Sequence, residues 1–278
     1  MSLRVPKDAG WRLFARTVVG RGYPRVIGMQ REKSGLIFDV LLPLIALSSY
    51  VYVYRAIGAP DAFIGFVIVG GAMSSFWMNV LWSMSNQFFW ERETGNLALY
   101  IMAPTSMMAI LLGMALGGMV VATIRALAIL LVGSWLFDVE YTVSSAPLLA
   151  AVFVLTLTAL YGMGMMFASV FLFFGRAAWH LVSLSQEPVN LLSGMYFPVR
   201  TLGAWTATAA SLIPLTLGLD AMRQLLFPDS TVLGFLTVPI EAGALAGLTV
   251  LFIVGARVAL SQMERLGAAE GKLTESRG

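Results

Sequence analysis

The sequence predicts an all-α polytopic membrane protein. The expected architecture is six transmembrane helices, an N-terminal interfacial amphipathic helix, and short re-entrant outer helices between helices five and six. Three observations carry this. Hydrophobic residues make up 58% of the 278 positions and charged residues only 12%, against about 25% charged in an average soluble domain. The charge deficit runs along the whole chain, which excludes a soluble domain on a single anchor. The apolar residues also come in long continuous runs, unlike the short alternating segments of a barrel strand.

The first element is residues 1–35, which carry Arg4, Lys7, Arg12, Arg16, Arg21, Arg25, Arg31 and Lys33 against Asp8 and Glu32. Trp11, Phe14 and Val18 recur at helical spacing, while Arg12 and Arg16 fall elsewhere on the wheel. That pattern suits an amphipathic helix in the membrane interface; a disordered basic tail is the competing reading. A nucleic-acid-binding arm would have no use for the apolar spacing, and no cleavable signal peptide is visible. The membrane domain is expected over 36–260 and a cytoplasmic polar tail over 261–278.

Six apolar segments follow: Leu36–Tyr54, Ala62–Phe89, Met107–Phe137, Pro147–Phe174, Ala177–Tyr196 and Thr231–Leu260. Each reaches the ~20 residues needed to cross ~30 Å of hydrocarbon. Several are longer, which predicts tilt or extension into water. Between the fifth and sixth, Pro198, Gly203, Pro214, Gly218 and Pro228 break the chain into one or two short helices that dip into the bilayer or lie on it. On the second of these, Asp220 and Arg223 stand at a spacing that allows pairing. Basic residues near the segment ends place the N-terminus inside, and the loop with Asp138 and Glu140 outside. Six spans then put both termini in the cytoplasm of a plasma (inner) membrane protein.

Several chemistries are excluded. There is no cysteine and one histidine, His180, so thiolate and His-cluster metal sites are absent. No G-x-S-x-G or H-E-x-x-H occurs. A P-loop needs G-x-x-x-x-G-K-[ST]; Gly271-Lys272 is followed by Leu273 and lacks the upstream glycine. Any ATPase is therefore another polypeptide. The charged break at Glu91, Arg92 and Glu93, followed by Thr94, Gly95, Asn96, Leu97 and Pro104, reads as a contact surface for such a soluble motor.

Arg125, Glu187 and Glu241 are read as intramembrane charges, each costing about 2.5–3.5 kcal/mol at a helix centre. Glu187 precedes Pro188, which kinks a helix and frees carbonyls. Glu187 and Pro188 are thus candidates for a pathway-lining or hinge position, as are Arg125, Asn79 and Met163. An ion pair between Glu187 and Arg125 is the alternative. Gly113/Gly117 and Gly243/Gly247 offer close helix approach, within the chain or between protomers. Methionine and aromatic residues suit an adaptable greasy path.

The stretch FWERETGNLALYIMAPTSMMAILLGMALG resembles a characteristic segment of ABC-2 type permeases, with Glu91, Arg92, Gly95, Asn96, Leu97, Pro104, Ser106, Leu111, Leu112 and Gly113 in the matching places. Met114 and Ala98 stand where the family often has lysine and glutamate. LLSGMYFPVRTLGAW and LIPLTLGLDAMRQLLF resemble a second family segment through Gly194, Phe197, Pro198, Leu202, Trp205, Pro214, Leu215, Thr216 and Arg223. The resemblance implies the transmembrane subunit of an ABC exporter that moves a hydrophobic or amphipathic substrate (drug, lipid or lipid-linked glycan). It implies two copies of a separate nucleotide-binding subunit, which hold the ATP and Mg, and a second permease, identical or related, in contact with membrane lipid. No cofactor is expected in this chain. Glu91 to Pro104 would be the coupling helix. Gly194, Phe197, Pro198, Trp205, Pro214 and Arg223 would belong to the outer re-entrant gate. The other reading is an ion-gradient-driven secondary transporter or channel using Glu187.

Overall fold

The computed structural model describes residues 9–31, 33–85, 90–91, 93–96, 99–100, 106–174, 177–228 and 234–270. Every regular element among them is helical: α1 (Ala9–Arg31), α2 (Lys33–Ala56), α3 (Ala62–Met78) continued by a π-helical turn (Asn79–Met84), α4 (Met107–Phe137), α5 (Ala146–Phe174), α6 (Ala177–Leu192), a 3-10 turn (Val199–Leu202), α7 (Ala204–Ala210), α8 (Pro214–Leu226) and α9 (Val238–Glu270).

Five helical stretches among the described residues are long and apolar enough to cross a membrane: Ile37–Ala56, Ala62–Met84, Met107–Phe137, Ala146–Ser169 and Val238–Gln262. The fifth expected span, 177–196, differs. Its helix α6 has 16 residues and ends at Leu192, so at ~1.5 Å per residue it covers about 24 Å. Gly194, with φ +71°, turns the chain away just beyond it. The last helix starts later than expected, at Val238.

Local signals explain the sharpest boundaries. Ser106 caps α4 by accepting a bond from the Ala109 amide at 3.2 Å, which satisfies a donor with no intrahelical partner. Asp138 ends α4 in the left-handed region (φ 55°, ψ 48°), a conformation that short polar side chains tolerate. Pro214 opens α8, where its missing amide costs nothing.

The α3 helix is the axis of the bundle. Thirteen of its 17 residues are buried, among them Ile68, Phe76 and Trp77. It packs between α2 and α4, while α9 packs along α5. Lipid is as apolar as leucine, so close packing rather than water exclusion holds such helices together. The clearest case is α1 on α4. A Cβ at Gly113 would lie 2.5 Å from the Val18 carbonyl oxygen, and one at Gly117 would lie 2.7 Å from that of Gly22. The Gly113/Gly117 pair is thus used inside the chain, to dock α1. Gly243 and Gly247 on α9 meet nothing within 4 Å.

At the end of the bundle away from α1, α8 folds back against the long helices, while α7 packs on the 3-10 turn and the end of α6. Amides of Thr142 and Ser144 donate to the carbonyls of Leu226 and Leu225, each at 3.0 Å. Helix α8 is buried along most of its length against α5 and α9.

Candidate functional site

Three groups of residues stand out, and each gathers part of what the sequence singled out. The first is the charged break after α3. Glu91 is buried and turned inward, while Glu93, Thr94, Gly95 and Asn96 are exposed. Arg21, from the middle of α1, donates to Glu91 Oε1 at 2.8 Å. The Tyr100 hydroxyl donates to Glu91 Oε2 at 2.8 Å and itself accepts from Arg21. Burial, and then the bond to Glu91, raises the Tyr100 pKa to about 12. The phenol therefore stays a donor at neutral pH, and the ring of three groups closes with both carboxylate oxygens occupied. Charge-assisted bonds of this kind are the stronger ones. Thr94 Oγ1 donates to the Trp90 carbonyl at 2.9 Å and accepts from Asn96 Nδ2 at 3.1 Å, and Gly95 adopts φ +77°. The exposed turn is thus held from behind by Glu91. Arg92, Leu97 and Pro104, also expected here, lie outside the described residues.

The second group is at the opposite end. Arg223 is buried, with 3% of its surface exposed. Its guanidinium donates to the carbonyls of Gly194 (2.5 Å), Met195 (2.7 Å) and Phe66 (2.8 Å), and lies 5.2 Å from the Phe66 ring centre. Burial lowers its pKa to about 10, with Asp220 and Tyr54 pulling the other way, so it remains charged at neutral pH. Tyr54 donates to the Tyr196 carbonyl at 2.8 Å, and Tyr50 stacks on Tyr196 at 4.3 Å. One arginine and two tyrosines thereby pin the turn at 193–198 onto α2 and α3. Gly194 and Pro198 are buried within it, as is Pro214 at the start of α8, and Phe197 is half-buried. Trp205 stands apart, 92% exposed on α7.

The pairing that the spacing of Asp220 and Arg223 allows does not form. Asp220 Oδ2 instead accepts from the Phe235 amide (2.7 Å) and Gln224 (3.1 Å). Three carbonyls converging on the arginine satisfy it without the carboxylate. Glu241, fully buried, accepts from Gln224 at 3.3 Å.

The third group lies within the bundle. Arg125 pairs with Asp39 of α2 at 2.5 Å, not with Glu187. Glu187 and Pro188 are exposed on α6. Pro188 also joins Met163, Trp77, Leu184 and Val189 around a largely apolar cavity of about 340 Å³. Trp77 contributes to its wall, while its indole nitrogen is itself buried without a hydrogen-bond partner among the described residues. Asn79 lies elsewhere, in the π-helical turn, where it accepts from the Tyr161 hydroxyl at 3.0 Å. The five pathway candidates therefore divide. Met163 and Pro188 share one cavity, Asn79 and Arg125 share another of about 380 Å³, and Glu187 lines neither.

Sequence reasoning missed Arg21, Tyr100 and Asp39. Asp39 was visible as a carboxylate inside an apolar run. Arg21 was visible only as one basic residue among many; the glycine beside it, Gly22, faces the α4 glycines and was the usable signal.

The family model described as ABC-2 type transporter matches residues 25–227. Two curated relatives are each 27% identical over 141 residues: the probable multidrug ABC transporter permease YbhR of Escherichia coli strain K12 and the protein of the same name from Escherichia coli O157:H7. The alignment takes in 51% of this chain but 38% of the relative's length. No solved structure matches the chain. With apolar helices long enough to span a bilayer and a family match over most of its length, the chain is a multi-pass membrane protein and belongs to the ABC-2 type transporter family.

Proposed function

We propose that this chain is the membrane subunit of an ATP-driven exporter of hydrophobic or amphipathic molecules. ATP and Mg would be held by two copies of a separate nucleotide-binding subunit, and a second permease would complete the assembly in the plasma (inner) membrane, with six spans and both termini cytoplasmic. The relative's printed name, a multidrug permease, supports this class of substrate.

The observation that carries the reading is the clamp of Arg21 and Tyr100 on Glu91. A coupling element must pass force without yielding. The turn Glu93–Asn96 is exposed for contact, and its root is tied to α1, which is in turn docked on α4 by backbone contact. A push on the turn is then delivered to two helices at once. The apolar cavity at Met163 and Pro188 suits the greasy part of a substrate. At the other end, the turn pinned by Arg223 would act as the outer gate.

The test is purification of the full complex from native membrane, followed by ATPase assay in lipid. A nucleotide-binding protein should copurify. Glu91→Ala should lower substrate-stimulated ATPase activity severalfold while the chain remains folded. Transport by the purified chain alone, abolished in Glu187→Gln, would overturn the reading in favour of ion-driven transport.

A further inference from the structure

We propose that the cavity between α1, the π-helical turn and α4 is a binding site for a phosphate-bearing headgroup. Its described lining contains two guanidiniums, Arg25 and Arg125, an amide, Asn79, and no carboxylate. Asp39 balances one of the two positive charges by pairing with Arg125, and leaves the cavity with a net charge of about +1, the complement of a phosphodiester. A diester such as a phospholipid headgroup and a soluble phosphate ester share this chemistry.

The donors are held in place before any ligand arrives. Arg25 is fixed by bonds to the carbonyls of Met114 (3.2 Å) and Ser83 (3.4 Å). Tyr161 donates to the Asn79 oxygen at 3.0 Å, which fixes the amide where it lines the cavity. Gly118 makes the arrangement possible. A Cβ there would sit 2.5 Å from Asn79 Oδ1 and 3.2 Å from Arg25 Nη1, so only glycine lets both approach the α4 backbone. The π-helical turn that carries Asn79 and Ser83 adds a further pointer, because such irregular turns inside helices recur at functional sites.

Depth favours an amphiphile. Gly118 precedes the end of α4 at Phe137 by 19 residues (137 − 118), about 28 Å of helix. That is close to one hydrocarbon thickness of ~30 Å. If the far end of α4 marks one boundary, Arg25 and Gly118 lie at the other, where lipid headgroups sit.

The experiment is native mass spectrometry on the delipidated full-length chain. The probes are dioleoyl phosphatidylglycerol, dioleoyl phosphatidylcholine and inorganic phosphate. One phosphatidylglycerol, an anionic diester, should bind about tenfold or more tighter than zwitterionic phosphatidylcholine, as expected when charge-assisted bonds act against one net positive charge. Asn79→Asp, isosteric and still bonded by Tyr161, should cut that affinity about tenfold by facing the headgroup with a carboxylate. Asn79→Ala, which only removes donors, should give a smaller loss and serves if the aspartate variant does not fold. Inorganic phosphate that displaces the lipid at low concentration assigns the site to soluble phosphate esters; failure to displace assigns it to the lipid. Equal binding of the two lipids, or binding unchanged in both variants, overturns the proposal.

Discussion

Arg223 offers the prediction with the most structural weight. The perturbation is Arg223→Met, which keeps an unbranched apolar stem of similar reach and removes every donor. Two of its three acceptors, the Gly194 and Met195 carbonyls, lie in a turn outside any helix. The third, Phe66, belongs to α3 and has helical bonding available. The variant therefore orphans two buried carbonyls, each costing about 1–3 kcal/mol, for a total of about 2–6 kcal/mol. At roughly 2–4 °C per kcal/mol for a chain of this size, melting should fall by about 4–24 °C. Tryptophan fluorescence of the detergent-solubilised chain measures that. Limited trypsin digestion adds a local readout, because Arg200 sits exposed on the 3-10 turn just past the pinned segment. Cleavage there should accelerate more than elsewhere. Arg223→Lys should fall between, since one compact ammonium cannot reach carbonyls on two elements. Melting within about 2 °C of the parent, with unchanged cleavage at Arg200, would refute the argument that this arginine holds the turn.

Two further outcomes follow from the same reasoning. Gly117→Val places methyl groups against the Gly22 backbone and should separate α1 from α4. Distance measurements between spin labels on the two helices should lengthen, and coupling to ATP hydrolysis should fall with them. Asp39→Asn should strand the Arg125 charge at about 3 kcal/mol and lower melting. Asp39→Leu combined with Arg125→Leu should recover most of that loss, because the uncompensated ion, not the missing bond, carries the cost.

Much of the fold was legible because bilayer thickness imposes length and continuity on apolar runs. The span Met107–Phe137 could be read to the residue, since Ser106 and Asp138 are local capping signals that act without help from the rest of the chain. The segment at 177–196 could not. Its composition is apolar enough for a span, but whether the chain continues beyond Leu192 depends on Gly194 turning and on Arg223, 29 residues away, holding the turn. The candidate site was legible in the same uneven way. Glu91 and Arg223 stood out as charges in greasy surroundings, yet their partners did not. Arg21 is separated from Glu91 by 70 residues, and the three acceptors of Arg223 are backbone carbonyls that carry no residue-type signal.

By itself, then, the sequence determined the class of protein and the bounds of the span Met107–Phe137. These follow from composition, periodicity and motif spacing, which are properties of neighbours along the chain. Tertiary structure alone decided which charge meets which. It paired Arg125 with Asp39 instead of Glu187, turned Glu91 inward while leaving Glu93 exposed, and spent Gly113 and Gly117 on α1 rather than on a second chain. In a low-dielectric bundle each ion must find a counter-charge or a carbonyl within a few ångströms, and only helix packing sets those distances.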